Sequence, residues 1–293
     1  MGGTADGGEG VNLRYLLTGV VRRYLPPPVL FGIMRLRGDG NGAEGEPDRN
    51  ADSLISSMHA QGIEITGRHL LELGSGRYAR QALYLLAHGA RHVTLVDLYA
   101  TPLSDLKHRA LLHADCLRLG LDPAQVLAHI TICTGDFLQL PLPNPSERPD
   151  LIFSVAVMEH VRDPEAILQC CYTWLPLGGQ TFHIIDLRDH NMQFRYPFEM
   201  LTYSDEFWHQ WLDQPGGFHL NRWRSLDYAE AIKRAGFTQI CCETMMADRE
   251  GLCAVEQRLA SHFRRYGADQ LAIQGIALTG LKSNTDTPAG QGS

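Results

Sequence analysis

Two groups of residues in this chain have the types and spacing to do chemistry. Leu70-Leu71-Glu72-Leu73-Gly74-Ser75-Gly76-Arg77-Tyr78-Ala79 reads as an apolar strand, a glycine turn and the opening of a helix. The two glycines let the backbone turn tightly against a ligand, and a helix start presents free N–H groups. Gly74 to Ala79 satisfies the G-x-G-x-x-G/A form, and Asp97, 23 residues after Gly74, stands where an acid grips ribose hydroxyls. The second group is His183-Ile184-Ile185-Asp186-Leu187-Arg188-Asp189-His190. It ends a strand on the rim where open α/β sheets bind ligands, and histidine suits a base at neutral pH. His190 is the first choice for that base, oriented by Asp186 or Asp189, and His160 at the end of an earlier strand is the second. His183, inside the strand, reads as a packed core residue. It and Asp186 are three apart and point to opposite faces, so no metal site is expected there.

Positioning these residues requires alternating strands and helices, the pattern of a mostly parallel sheet covered on both faces. The spacing predicts strands at His69–Leu73, His92–Asp97, Ile130–Thr134, Asp150–Val155 and Thr181–Asp186. Helices are expected near 77–88, 102–119 and 163–174, and again at Leu226–Ala235, which Gly236 ends in a left-handed conformation. Thr238–Met245 and Leu271–Leu281 read as closing strands around a helix at about 252–265. Ahead of the sheet, Leu13, Leu16, Leu17, Val20, Val21, Tyr24 and Leu25 form a helical stripe ended by Pro26-Pro27-Pro28. Asp39–Asn50 reads as a loop.

With the strand ends in order, the sequence resembles the class I S-adenosylmethionine-dependent methyltransferases, small-molecule branch, over roughly residues 68–240. Glu72 before Gly74-Ser75-Gly76 is similar to that family's first motif, an acid at a strand end followed by G-x-G. The resemblance implies a Rossmann-like seven-stranded sheet and S-adenosylmethionine as cofactor. It gives Asp97, with Leu98 beside it, to the ribose, and Asp136 with Phe137 to the adenine. Ser154 and Val155, in a stretch similar to the fourth strand, lie beneath the methionine part, and Leu175-Pro176-Leu177-Gly178-Gly179 resembles the turn before the fifth strand. The sequence departs from the family at Tyr78, where the loop's third glycine is expected. The competing reading of the glycine turn is a nicotinamide-dependent oxidoreductase, although no Tyr-x-x-x-Lys pair exists.

The resemblance implies in-line methyl transfer to a small molecule, with O-methylation of a sugar or natural-product hydroxyl preferred over N- or C-methylation. An aromatic and basic insertion at about 188–225, including Phe207, Trp208, Trp211, Arg222 and Arg224, is placed to wall the acceptor; the two arginines read as partners for an anionic acceptor or as surface charges. The expected organisation is a tail, amphipathic lid helix and loop over 1–67, a methyltransferase domain over 68–282, and a flexible tail over 283–293. The net charge of −7 argues against a general nucleic-acid binder. Seven cysteines without metal-binding spacing and an acidic, Gly-rich start point to a reducing, cytoplasmic setting. Residues 11–37 carry five arginines and no acid, a pattern suited to peripheral membrane contact, to packing as a lid, or to a second subunit in a homo-oligomer.

Overall fold

Along β1 (His69–Leu73) the side chains alternate between two cores, and that alternation sets the layering. Leu70 joins Leu83, Leu85, Val93, Leu95 and Phe153 on one face. Leu71 and Leu73 join Val96, Ile152, Leu168 and Ile232 on the other. The strand is buried on both faces, as central parallel strands are, with Glu72 as the buried acid near its end. The computed structural model describes residues 13–26, 29, 47–76, 79–98, 106–190, 197–213 and 219–283. The expected tails (apart from Ser283), Arg35 and Arg37, Tyr78, and Phe194, Arg195, Tyr196 and Phe218 of the insertion lie outside those residues.

The sheet has seven strands in the order β3-β2-β1-β4-β5-β7-β6. Its parallel part is β1, β2 (His92–Asp97), β3 (Ile130–Thr134), β4 (Leu151–Val155) and β5 (Gln180–Asp186). β7 (Ile273–Leu281) runs antiparallel between β5 and β6 (Thr238–Ala247). The order reverses between β1 and β4, so the carboxyl ends of these strands open onto a switch-point crevice. The fold is thus the expected α/β, Rossmann-like sheet, with an N-terminal helix added.

Helix α1 (Leu13–Tyr24) packs on the segment that follows β5. Tyr15 stacks on Tyr203, centroids 5.4 Å apart, and Gly19 lies so near Leu212 that a Cβ would come within 2.6 Å of it. Its other face leaves Leu13, Leu17, Val21 and Tyr24 exposed. Two expectations change. Pro47–Ala60, of which the first residues were read as loop, is a helix, with Ala51, Leu54, Ile55 and Met58 buried against the sheet. The helix expected at 252–265 is instead a short helix, Arg249–Cys253, and two 3-10 turns. Its apolar spacing is met, since Leu252, Val255, Leu259 and Phe263 are all buried. The backbone, however, leaves the helical path so that the Ala260 N–H can donate to Leu201 O in the insertion, at 3.0 Å.

Candidate active site

The glycine turn leaves β1 with Gly74 and Gly76 at φ of 71° and 64°, and Ala79 follows at 52°. Gly74 is held close by its neighbour: a Cβ there would sit 2.3 Å from Val157 Cγ2, so the loop after β4 lies directly on the turn. At Gly76 nothing among the described residues lies within 4 Å of an added Cβ, and its N–H donates to Asp97 Oδ2 at 2.9 Å. Glu72 is buried at 3% exposure, and among the described residues its Oε2 has no hydrogen-bond partner, as is true of Ser75 Oγ. Burial, aided by the charge of Asp97, pushes the Glu72 carboxyl up to about 8. A space flanked by unsatisfied polar groups, an acid on β2 and an open glycine fits an adenosyl amino acid.

Asp136 caps the 3-10 turn Phe137–Gln139, accepting from Leu138 N and Gln139 Nε2 at 3.1 Å each. Phe137 turns inward, its ring 4.8 Å from that of Trp174, whereas Leu138 and Leu98 are exposed. Ser154 is fully buried and hydrogen-bonded to His183 Nδ1 at 2.8 Å, and His183 Nε2 meets Thr181 Oγ1 at 2.7 Å. Burial pushes His183 down to about 3, so it is a neutral core residue. Val155, half-buried, ends β4.

Beyond β4 the chain passes Ala156, at φ 53°, and forms the 3-10 turn Met158–His160. Asn221 pins this turn: its Nδ2 donates to Met158 O at 2.7 Å and to Val161 O at 3.0 Å, and its N–H to Glu159 O at 3.0 Å. Tyr228 Oη adds a bond to Met158 O. His160 donates from Nδ1 to His219 O at 2.7 Å, and desolvation, with the neighbouring His190, pushes it down to about 4. A carbonyl only accepts, so the Nδ1 atom carries the proton and Nε2 the lone pair. The ring of His190, arriving from the end of β5, lies 4.9 Å from that of His160. Close to both, Glu159 is 3% exposed, with no hydrogen bond of normal geometry to either carboxylate oxygen among the described residues. Desolvation drives it up to about 8, offset only in part by the N–H groups of Glu159 and Asp186 and by the charge of Arg188.

Asp186 is gripped by Arg188 in a fork, Nε to Oδ1 at 2.9 Å and Nη2 to Oδ2 at 2.7 Å. Burial would raise its pKa, but the approach of His190 and the Arg188 fork win and hold it well below the carboxylate range. It lies 3.6 Å from His190 Nε2, beyond hydrogen-bond distance. Asp189 is fully buried and accepts from Tyr15 Oη and Met200 N at 2.8 Å each, so it ties α1 and the insertion together instead of orienting His190.

A family model described as a methyltransferase domain matches residues 47–241. The chain belongs to the class I S-adenosylmethionine-dependent methyltransferases. That membership sets aside the nicotinamide reading of the glycine turn. Among solved structures, two complexes of Haemonchus contortus phosphoethanolamine N-methyltransferase 2 share the fold. One holds S-adenosyl-L-methionine (18% identity, 80% of this chain, 53% of that one, TM-score 0.51). The other holds phosphomonomethylethanolamine and S-adenosylhomocysteine (17%, 80%, 53%, 0.51). This chain therefore spans about half the length of those relatives. A putative sarcosine dimethylglycine methyltransferase from Galdieria sulphuraria is also similar (16%, 87%, 98%, 0.49). No curated protein sequence matches the chain.

Within this methyltransferase the glycine turn, Glu72 and Asp97 come together at the ends of β1 and β2, and His160 and His190 at the ends of β4 and β5. The two arginines read as partners of an anionic acceptor or as surface charges are instead buried against main-chain carbonyls. Arg222, at φ 60°, donates to Met200 O and Tyr203 O and lies 4.7 Å over the Trp208 ring. Arg224, with no exposed surface, donates to Leu187 O, Leu271 O and Ile273 O. Sequence reasoning gives no role to Glu159 or Asn221, and places His219 only among the basic residues of the insertion. The first stands beside His160 in Met158-Glu159-His160 and was within reach; the other two act from 59 to 63 residues away. Among the described residues no helix is long and apolar enough to cross a membrane.

Proposed function

We propose that this methyltransferase moves the methyl group of S-adenosylmethionine to a hydroxyl of a small molecule, a sugar or natural-product hydroxyl, with His190 or His160 receiving the acceptor proton. The observation that carries the reading is the seating of Val157 on Gly74, three residues before His160, which joins the cofactor turn to the histidine pair in one crevice. When bound, the cofactor supplies an electrophilic methyl on a sulfonium. Asp97 would hold the ribose hydroxyls and Asp136 the adenine amine. Gly74, Ser75 and Gly76 would cradle the amino-acid tail over Glu72. The histidine pair then removes a proton from an acceptor aligned in front of the methyl group, where orientation and base catalysis lower the barrier together. Phe207 and Trp211, each 36% exposed, supply apolar walls.

N-methylation is the second reading, favoured by the fold shared with the phosphoethanolamine enzymes; C-methylation is the third. The acidic chain takes no nucleic acid in this reading. The outward stripe Leu13, Leu17, Val21 and Tyr24 serves contact with a membrane surface or a second copy, which vesicle flotation and equilibrium sedimentation tell apart. The primary test is thermal stability and calorimetry with S-adenosylmethionine, S-adenosylhomocysteine, NAD and NADP. At 100 times its dissociation constant a ligand adds about 2.7 kcal/mol, a shift of several degrees. Shifts with the two adenosyl compounds, followed by labelled-methyl transfer to hydroxylated metabolites, are expected; no response to either adenosyl compound overturns the proposal.

A further inference from the structure

We infer that Glu159, His160 and His190 form a site for one divalent transition-metal ion, with Zn2+ as the best-fitting ion and a coordination position left open toward the acceptor. Each residue offers one ligand atom, and these atoms lie within 4.8 Å of one another. The carboxylate is the decisive group. It is 3% exposed, neither oxygen has a hydrogen bond of normal geometry among the described residues, and the nearby N–H groups of Glu159 and Asp186 and the charge of Arg188 answer it only in part. A buried carboxylate left so is costly unless a cation or a proton answers it.

The histidines are set up to help supply that cation's shell. His160 gives its Nδ1 proton to His219 O, which leaves the Nε2 lone pair free, the outer-shell arrangement that orients metal-binding imidazoles. The carbonyl is held in turn because the His219 ring is anchored to Asp213 Oδ1 at 2.6 Å. Among the described residues His190 Nε2 is buried without a hydrogen-bond partner, its nearest acid being committed to Arg188. Two imidazoles and one carboxylate suit zinc and its first-row neighbours over magnesium or calcium, which favour oxygen. Three protein ligands with a fourth position open is the arrangement of catalytic zinc, not of structural zinc. Tetrahedral donors at bond lengths of about 2 Å stand about 3.4 Å apart, so loading the ion draws these side chains together.

The site deepens the methyl-transfer proposal and rests on it for its chemistry, although ion binding itself does not. A hydroxyl coordinated at the open position is acidified. Its O–H bond breaks and the proton leaves to solvent water, while the oxygen keeps the pair. That pair forms the bond to the methyl carbon as the carbon–sulfur bond breaks, with sulfur keeping its electrons. The two histidines then act as ligands of the ion, and the ion takes over the lowering of the acceptor's pKa.

The test uses the full chain, stripped with a chelator and desalted, then titrated with Zn2+ and Co2+ by calorimetry, with visible absorption for Co2+. One ion per chain is expected. Glu159→Gln and His190→Asn should each weaken binding by more than the roughly hundredfold seen for outer-shell losses. His59→Asn, at an exposed residue of the Pro47–Ala60 helix, should leave it unchanged. His190 is 30% exposed, so its replacement spares the core, and far-UV dichroism checks the fold. Absence of binding by the wild type up to about 1 mM, or unchanged binding in His190→Asn, overturns the ion site. If methyl transfer survives chelation, the ion's part in the chemistry is overturned. If Zn2+ binds while S-adenosylmethionine does not, the methyl-transfer reading falls and the ion site stands.

Discussion

Nδ1 of His160 lies 2.7 Å from the main-chain oxygen of His219, and this contact decides where the proton of that imidazole resides. In the ion-free protein His160 should remain neutral, as the Nδ1–H tautomer, from pH 8 down to about 5, because burial holds its pKa near about 4. Nitrogen-15 chemical shifts of the ring across that range check it. An imidazole that takes up a proton near the ordinary 6.5 contradicts the environment described.

Glu72 and Glu159 make stability depend on pH in the alkaline direction. Held up to about 8 against an ordinary 4.5, they keep protons in the folded state that the unfolded chain has released. Their contribution is therefore lost as pH rises from 4.5 to 8. His183 and His160 do the opposite. Pushed down to about 3 and about 4, they stay neutral while unfolded histidines charge, and their contribution is lost as pH falls below about 6.5. The two trends offset one another between about 4.5 and 6.5, where both kinds of group act. From about 6.5 to 8 the carboxyls act alone, each by at most about 1.4 kcal/mol per pH unit. Denaturant titrations of the ion-free, cofactor-free protein should show stability declining over that window, and Glu72→Gln or Glu159→Gln should each flatten part of the decline. By the same logic, binding a cationic cofactor beside Glu72 releases a proton, which calorimetry in buffers of different ionisation enthalpy reads.

Asn221 holds the 158–161 turn through two side-chain bonds and one main-chain bond. Asn221→Ala should lower stability by about 1–3 kcal/mol, since the carbonyls of Met158 and Val161 lose its Nδ2 donor, Met158 O keeping only Tyr228 Oη. Turnover should fall roughly tenfold to a hundredfold, as displaced reacting groups do. Affinity for S-adenosylmethionine should barely move, because the glycine turn and Asp97 are untouched. Equal losses in both would show that the turn supports the cofactor instead.

Asp97→Ala is expected to reverse that pattern. The residue accepts from Gly76 N, and in the proposed site also takes ribose hydroxyls. Losing charge-assisted bonds worth about 1.5–3 kcal/mol each should weaken S-adenosylmethionine at least tenfold. Direct calorimetry on the variant checks it.

Tyr15→Phe removes a donor to the buried Asp189. A cost of about 1–3 kcal/mol in chemical denaturation is expected. Because Asp189 precedes His190, turnover should also fall, whereas a purely peripheral helix would leave it unchanged.

Much of the fold was legible because the strands are short apolar runs bounded by turn residues. β1, β2 and β3 begin and end where periodicity places them, and β4 and β5 differ by one residue. The helix at Pro47–Ala60 was overlooked although Ala51, Leu54, Ile55 and Met58 have helical spacing, because the charge and glycine just ahead of it read as loop. The 252–265 region misled in the other direction: correct burial at helical spacing, with the path set by a through-space bond to Leu201. At the site, residues on the sheet's strand ends were found from local pattern. Asn221, His219 and the structural duties of Asp189, Arg222 and Arg224 depend on contacts between distant segments, which spacing along one strand does not encode.

The guanidinium of Arg224 bonds to Leu187 O, so the segment that leaves the sheet after β5 and returns before the helix Ser225–Arg234 is clasped at both ends by one side chain. What lies between divides in two. The buried side chains from Phe198 to Leu212 pack against α1, the main chain there serves Arg222 and Ala260, and Asp213 holds His219, so these must stay. Exposed positions such as Phe207 and Trp211 carry none of that load, and exchanging them should change the acceptor admitted without tension on the sheet.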